Sequence, residues 1–172
     1  MKTTIVLSGI VVFLLFSACT HNYSKEKPIK IEVYLKGELP PSVLKGCDGT
    51  LCSIEIDLTN KSDTTIYFWE MSCSWQDNWR FNTDSVFLYS AGCDHNTPIL
   101  RKLNPGQKIK YIGILCSTLK HKALNINHIQ LGFVLIKENE FNIEKDSFHT
   151  ILTAKSKERN RFLWCAPFKM GN

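Results

Sequence analysis

The 172-residue sequence holds no CxxC pair, no G-x-S-x-G elbow and no H-E-x-x-H motif. Each absence removes a chemistry. Without closely spaced thiols, seven cysteines supply neither a dithiol redox motif nor the paired ligands of a structural zinc site. Without the elbow or the two-histidine helix, the familiar layouts of serine hydrolases and zinc peptidases are missing. No internal repeat or low-complexity run occurs, and beyond the first 18 residues no long window repeats every 3.6 residues as an amphipathic helix would. The one extended apolar stretch, Ile5 to Phe16, is interrupted by Ser8 and Gly9. It falls short of the roughly 20 helical residues needed to cross a hydrocarbon core of about 30 Å. The net charge of +5 is small, and its lysines and arginines are scattered, so nucleic acid is not expected as a partner.

What is present at the N-terminus has a definite order. Met1-Lys2-Thr3-Thr4 carries one positive charge, the short apolar stretch follows, and Ser17-Ala18-Cys19 closes it with small residues. That is the layout of a cleaved export signal. Phe16-Ser17-Ala18-Cys19 resembles the lipobox of bacterial lipoproteins, with Phe16 where that family more often has leucine. The resemblance implies cleavage before Cys19 and a diacylglyceryl thioether on its sulfur. Several acyl chains hold a protein at a membrane where one chain does so only marginally, because each buried CH₂ contributes about 0.8 kcal/mol. Residues 1–18 therefore read as signal peptide, 19–28 as a polar lipidated tether, and 29–172 as one domain. The tether lacks the acidic run that marks surface export of some lipoproteins. The expected location is the bacterial cell envelope, anchored to a membrane through lipid, with periplasmic and surface sides both open.

With Cys19 committed to lipid, six cysteines remain in an oxidising compartment, and an even count points to disulfides. Three bridges allow fifteen pairings. The pairing expected is Cys47 with Cys52 as a local clip, Cys73 with Cys93 between neighbouring connections, and Cys116 with Cys165 between late strands. Cys93-Asp94-His95 is the nearest approach to a ligand cluster, but adjacent positions are a poor substitute for metal-ligand spacing, so neither metal nor cofactor is expected.

From Pro28 onward the chain alternates with a period of two, the mark of half-buried strands. Ile29, Ile31, Val33 and Leu35 share one face. Cys52, Ile54, Ile56 and Leu58 do the same and end at Asn60-Lys61-Ser62-Asp63, after which 64–69 returns as a hairpin partner. Shorter runs follow at 86–89 and 99–103. Asn104-Pro105-Gly106-Gln107 predicts a type II turn leading into a strand at 108–116. Further strands are expected at 128–136, 150–153 and 161–168, and a helical turn fits 117–125. About seven to nine strands with hardly any helix predict an all-β, antiparallel sandwich. Ile54–Leu58, the Asn60–Asp63 corner with Thr65-Ile66, and Leu103-Asn104-Pro105-Gly106 leading to Tyr111 resemble immunoglobulin-like domains of bacterial envelope proteins. That resemblance implies a non-catalytic scaffold.

The most unusual segment is Trp69 to Phe81, which holds three of the four tryptophans. Trp75, Asp77, Asn78, Trp79 and Arg80 combine aromatic area with polar groups that could orient a glycan or peptide. The competing reading, which weighs more, is a cap packed over a Cys73–Cys93 bridge, because large aromatics in compact domains are mostly buried. His95, His121, His128 and His149 belong to no catalytic layout. The basic stretch Lys155 to Arg161 reads as a solvated loop. The expectation is a membrane-anchored, non-catalytic binding module for an envelope protein or glycan. Its rival is an assembly-linked lipoprotein that packs in a larger complex through a sheet edge. A third reading, which weighs least, is an enzyme with an unfamiliar site, requiring a concave pocket with convergent polar groups. Exposed tryptophans favour the first and a long uncovered edge strand the second.

Overall fold

In the computed structural model, which describes residues 27–44, 47, 49–118 and 128–170, alternation becomes a face. Strand β1 (Ile29–Leu39) turns Ile29, Ile31, Val33 and Leu35 inward and leaves the intervening residues outward. Strand β2 (Leu51–Asn60) pairs with it antiparallel and buries Ile54, Ile56 and Leu58 on the same side. The other described strands are β3 (Ile66–Met71), β4 (Trp79–Phe81), β5 (Val86–Leu88), β6 (Pro98–Leu103), β7 (Lys108–Ser117), β8 (Leu131–Val134), β9 (Ile136–Lys137), β10 (Phe162–Trp164) and β11 (Lys169–Met170). One sheet has the order β11-β1-β2-β7-β5. Facing it are β10-β8-β4 and β6-β3-β9, in which successive stretches of 66–81 pair with successive stretches of 131–137. The result is an all-β sandwich, antiparallel except for the β1–β11 pair, which runs parallel.

Between the sheets lies one large core, with Ile54, Ile56, Leu58, Phe68, Trp79, Leu115 and Phe133 at its centre. Phe68 and Phe133 meet edge to face at 5.3 Å. β8 is buried on both sides because a second cluster, with Val134 and Ile136, is covered by helix α1 (Phe148–Ser156). That helix replaces the strand expected at 150–153. Thr150, Ile151 and Thr153 suggest a strand in isolation, but Phe148, Ile151, Leu152 and Lys155 recur at helical spacing. The first three of these pack in this second cluster. The helical turn expected at 117–125 lies largely outside the described residues.

The hairpin expected between 52–58 and 64–69 is not formed. β2 already has β1 and β7 as neighbours, so β3 must cross to the other sheet, where it pairs with β6 and β9. Asn60 directs this crossing. Fully buried, it donates from Nδ2 to the Thr64 carbonyl at 2.7 Å and the Leu103 carbonyl at 2.9 Å. Its own N–H reaches the Gln107 carbonyl at 3.0 Å. The second crossing, β6 to β7, uses the expected tight turn: Gln107 N–H donates to the Asn104 carbonyl at 2.9 Å, and Gly106 supplies the required positive φ of 71°.

Two bridges form, Cys47–Cys116 and Cys73–Cys93. The second is the expected one. The pairings of Cys47 with Cys52 and of Cys116 with Cys165 are corrected, since Cys52 and Cys165 are free and buried. Side-chain alternation explains the first change. Leu51 is opposite Cys116 in the β2–β7 register, so Cys52 points the other way, into the core. Cys165 is likewise in the core, its sulfur accepting the Leu131 N–H at 3.1 Å.

Gly132 lies opposite Trp164 in the β8–β10 register. A Cβ there would stand 2.8 Å from the Trp164 ring and 2.9 Å from the Phe162 ring, and those two rings stack at 5.0 Å. Gly132→Ala is expected to cost about 1–3 kcal/mol through forced displacement of packed rings; a urea midpoint equal to that of the parent chain would refute the clash.

The basic stretch Lys155 to Arg161 is not a free patch. Arg161 and Lys155 contact Glu140 at 2.8 and 3.2 Å, and Arg161 also contacts Glu158 at 2.8 Å. Burial acts to raise the Glu140 carboxyl, but the Lys137 backbone N–H together with Lys155 and Arg161 outweighs it and holds the group below its ordinary value of 4.5. A carboxyl lowered on folding stabilises the fold above its unfolded pKa, and that contribution disappears as pH falls through its folded value. Stability should therefore drop below about pH 4.5, and less steeply in Glu140→Gln. Denaturant titrations of both proteins at pH 6 and pH 3 provide the check.

Candidate interaction surface

Between β3 and β4 the chain makes a 3-10 turn, Trp75–Asn78. Ser74 starts it by accepting the Asp77 N–H at 2.9 Å, and Arg80 closes it by donating from Nη1 to the carbonyls of Asp77 at 2.8 Å and Trp79 at 2.7 Å. The loop before β6 braces it. Asn96 Oδ1 accepts the N–H groups of Cys73 and Ser74 at 3.1 and 3.2 Å, and its Nδ2 donates to Ser74 Oγ at 2.8 Å. The Cys73–Cys93 bridge ties the same two segments covalently.

The five polar and aromatic residues singled out in this stretch do not form one platform. Trp79 is only 3% exposed and packs on Phe133 at 4.7 Å and Tyr111 at 5.7 Å. Asn78 is fully buried, donating to the carbonyls of Trp69 at 3.0 Å and Val134 at 3.2 Å, and so links β3 to β8. Trp75 is half-buried against Tyr111 at 4.8 Å, above Gly113. Asp77, Trp79 and Arg80 do share one shallow groove of about 320 Å³ with Gln76 and Phe87. There burial raises the Asp77 carboxyl pKa against the opposing charges of Arg80 and His149. The segment is mainly the cap of the sandwich, with its outward side forming this small polar groove.

Below Trp75 lies a group that the sequence reading passed over. Glu70 is 0% exposed, yet its carboxylate accepts Arg101 Nε at 2.5 Å and the Tyr111 hydroxyl at 2.6 Å. Burial, then the charge of Glu70 and its hydrogen bond, push the Tyr111 phenol far up, so it remains a donor. A signal existed: alternation puts Glu70 on the same inward face as Phe68, and a carboxylate placed there needs partners from facing strands.

Trp75 and Tyr111 also line a groove of about 580 Å³ between β6 and β7. β6 pairs only with β3. β7 pairs with β2 throughout, but with β5 only at Leu115–Ser117. Both banks of the groove are therefore strand edges without a strand partner among the described residues. Leu100 on one bank is exposed, and Ile112 on the other is 70% exposed. Lys102 and Lys110 stand beside them. Pro98, which cannot donate to a ladder, begins β6 where an edge strand tolerates it.

His95, His128 and His149 are exposed, and His121 lies outside the described residues, as does Cys19. Among the described residues no group of three His, Cys, Asp or Glu side chains is placed to hold a metal ion. A scan of protein-family models finds no match to the chain, and a search of curated proteins finds none either. Among solved structures, the FixG-related protein from Vibrio parahaemolyticus is similar over 67% of this chain and 89% of that one, at 14% identity and a TM-score of 0.35. A likeness that slight carries no argument.

Proposed function

We propose that the chain is a lipid-anchored bacterial envelope protein whose non-catalytic, immunoglobulin-like sandwich docks an extended segment of an envelope protein at the β6/β7 edge. One observation carries the docking reading: Leu100 and Ile112, two of the exposed large apolar side chains, stand on opposite banks of a groove whose two strand edges are unpaired among the described residues. An added strand gains main-chain hydrogen bonds from such an edge and side-chain contacts from the groove. Burial of Trp79 and half-burial of Trp75 weigh against an aromatic glycan platform and toward sheet-edge packing. The anchor reading is supported by Ser17-Ala18-Cys19 after a short apolar stretch.

The test places a photo-crosslinking residue at Ile112 and, as control, at Ile143, which is also exposed. Crosslinking is done in the bacterium that makes the protein. A discrete adduct from position 112, absent from position 143 and lost on Leu100→Asp, supports edge docking. Equal adducts from both positions would sink it. Palmitate labelling of the parent chain and of Cys19→Ala decides the anchor separately.

A further inference from the structure

The opposite edge of the sandwich holds a groove of different character. β1 pairs with β11 only at Tyr34 and Leu35, so the stretch 29–33 has no strand partner on that side among the described residues. Across from it stands Trp164 of β10, followed by Ala166 and Pro167, and the space between is about 570 Å³. Lys27, Lys30 and Lys61 line the same groove. Lys30 contacts Glu32 at 3.0 Å, which offsets the one acidic side chain there. Lys27 and Lys61 make no ion pair among the described residues, so the groove carries net positive charge beside an indole and an apolar strand edge. Trp164 is the one tryptophan outside the 69–81 segment.

Position in the chain adds a second, independent observation. Lys27, the first described residue, lines the groove, and Cys19 precedes it by only eight residues. Fully extended, such a tether reaches at most about 29 Å, so a lipid on Cys19 keeps this edge near the bilayer. We propose that in the anchored protein this groove lies against an anionic phospholipid surface. Lys27, Lys30 and Lys61 meet the headgroups, and Trp164 sits at the interface. Lysines near an anionic leaflet are attracted to it, and tryptophan favours the boundary between headgroups and chains. In the first sheet β1 and β7 are on opposite sides of β2, so this orientation turns the β6/β7 groove away from the membrane, toward a partner. The inference rests on lipid attachment at Cys19.

The lipidated full chain is reconstituted in vesicles of phosphatidylethanolamine and phosphatidylglycerol carrying brominated acyl chains, which quench only nearby indoles. Flotation first shows whether the chain is anchored, with Cys19→Ala as the unanchored control. The quenchable share of tryptophan emission is expected to fall about twofold or more in Trp164→Phe. A similar fall is expected in the Lys27→Gln, Lys30→Gln, Lys61→Gln triple variant, although both still float. The triple changes only exposed positions, where lost ion pairs affect stability little. A floating chain whose quenching is unchanged in both variants overturns the membrane-facing groove but leaves the anchor intact. A parent chain that does not float overturns both.

Discussion

Loss of the Cys47–Cys116 bridge, as the double variant Cys47→Ala, Cys116→Ala, is expected to lower the unfolding free energy by about 4 kcal/mol. The bridge spans 69 residues, and in the chain-entropy picture closing a longer loop removes more freedom from the unfolded state. The Cys73–Cys93 bridge spans 20 residues, so its loss should cost less, about 3 kcal/mol. It should also loosen the cap segment, which only the hydrogen bonds of Asn96 and those of Ser72 with Thr97 and His95 would then hold to the loop before β6. Denaturant melts of the two double variants give the comparison; equal or reversed costs would show that local geometry, not loop length, dominates. A thiol count checks the connectivity beneath this prediction. A chain beginning after Cys19, unfolded without reductant, should show two reactive thiols, Cys52 and Cys165. Folded, it should show none, because burial pushes both thiols up, helped at Cys52 by Glu38, and shields them from reagent. No thiol at all in the unfolded state would restore three bridges.

Glu70→Ala is expected to cost about 3 kcal/mol or more. The change strands the Tyr111 hydroxyl, opens a cavity between β3 and β7, and removes the anchor of Arg101. The stranded Tyr111 hydroxyl is buried, and a buried polar group left without a partner costs about 1–3 kcal/mol. Arg101→Ala should cost less, because the arginine side chain is 44% exposed and water can reach the vacated side of the carboxylate. Tyr111→Phe should fall near it, losing one hydrogen bond to a charged group. A double-mutant cycle over Glu70 and Tyr111 measures their coupling; a coupling near zero would mean that the carboxylate has other support. The same variants bear on docking. Tyr111 floors the β6/β7 groove, so a stability loss without change in crosslinking from position 112 separates the scaffold from the surface.

Much of the first sheet is readable from residue order. Ile29, Ile31, Val33 and Leu35 alternate cleanly because only one face of β1 meets the core, and the same holds for Ile54, Ile56 and Leu58. Asn104-Pro105-Gly106-Gln107 is local chemistry, and its turn forms as expected. Helix α1 was not readable, because its β-branched residues imitate a strand and its apolar positions matter only once Val134 and Ile136 offer a surface to cover. The disulfides were partly readable. Cys73–Cys93 joins neighbouring loops, whereas Cys47–Cys116 depends on which face of β7 the segment before β2 passes over.

The candidate surfaces divide in the same way. Residue order marked 69–81 as unusual but could not say that Trp79 points into the core while Asp77 and Arg80 stay at the rim. It gave no sign of the β6/β7 groove, since an unpaired edge is a property of strand order and not of any one strand. Sequence by itself determined the strand faces, the corner residues and the small net charge, because those follow from local periodicity and composition. Tertiary structure alone decided which strands are edges, that Cys47 meets Cys116, and how Glu70, Arg101 and Tyr111 join across two sheets. Those depend on contacts between segments distant in the chain, 69 residues apart for Cys47 and Cys116, 31 for Glu70 and Arg101 and 41 for Glu70 and Tyr111, which no local pattern encodes.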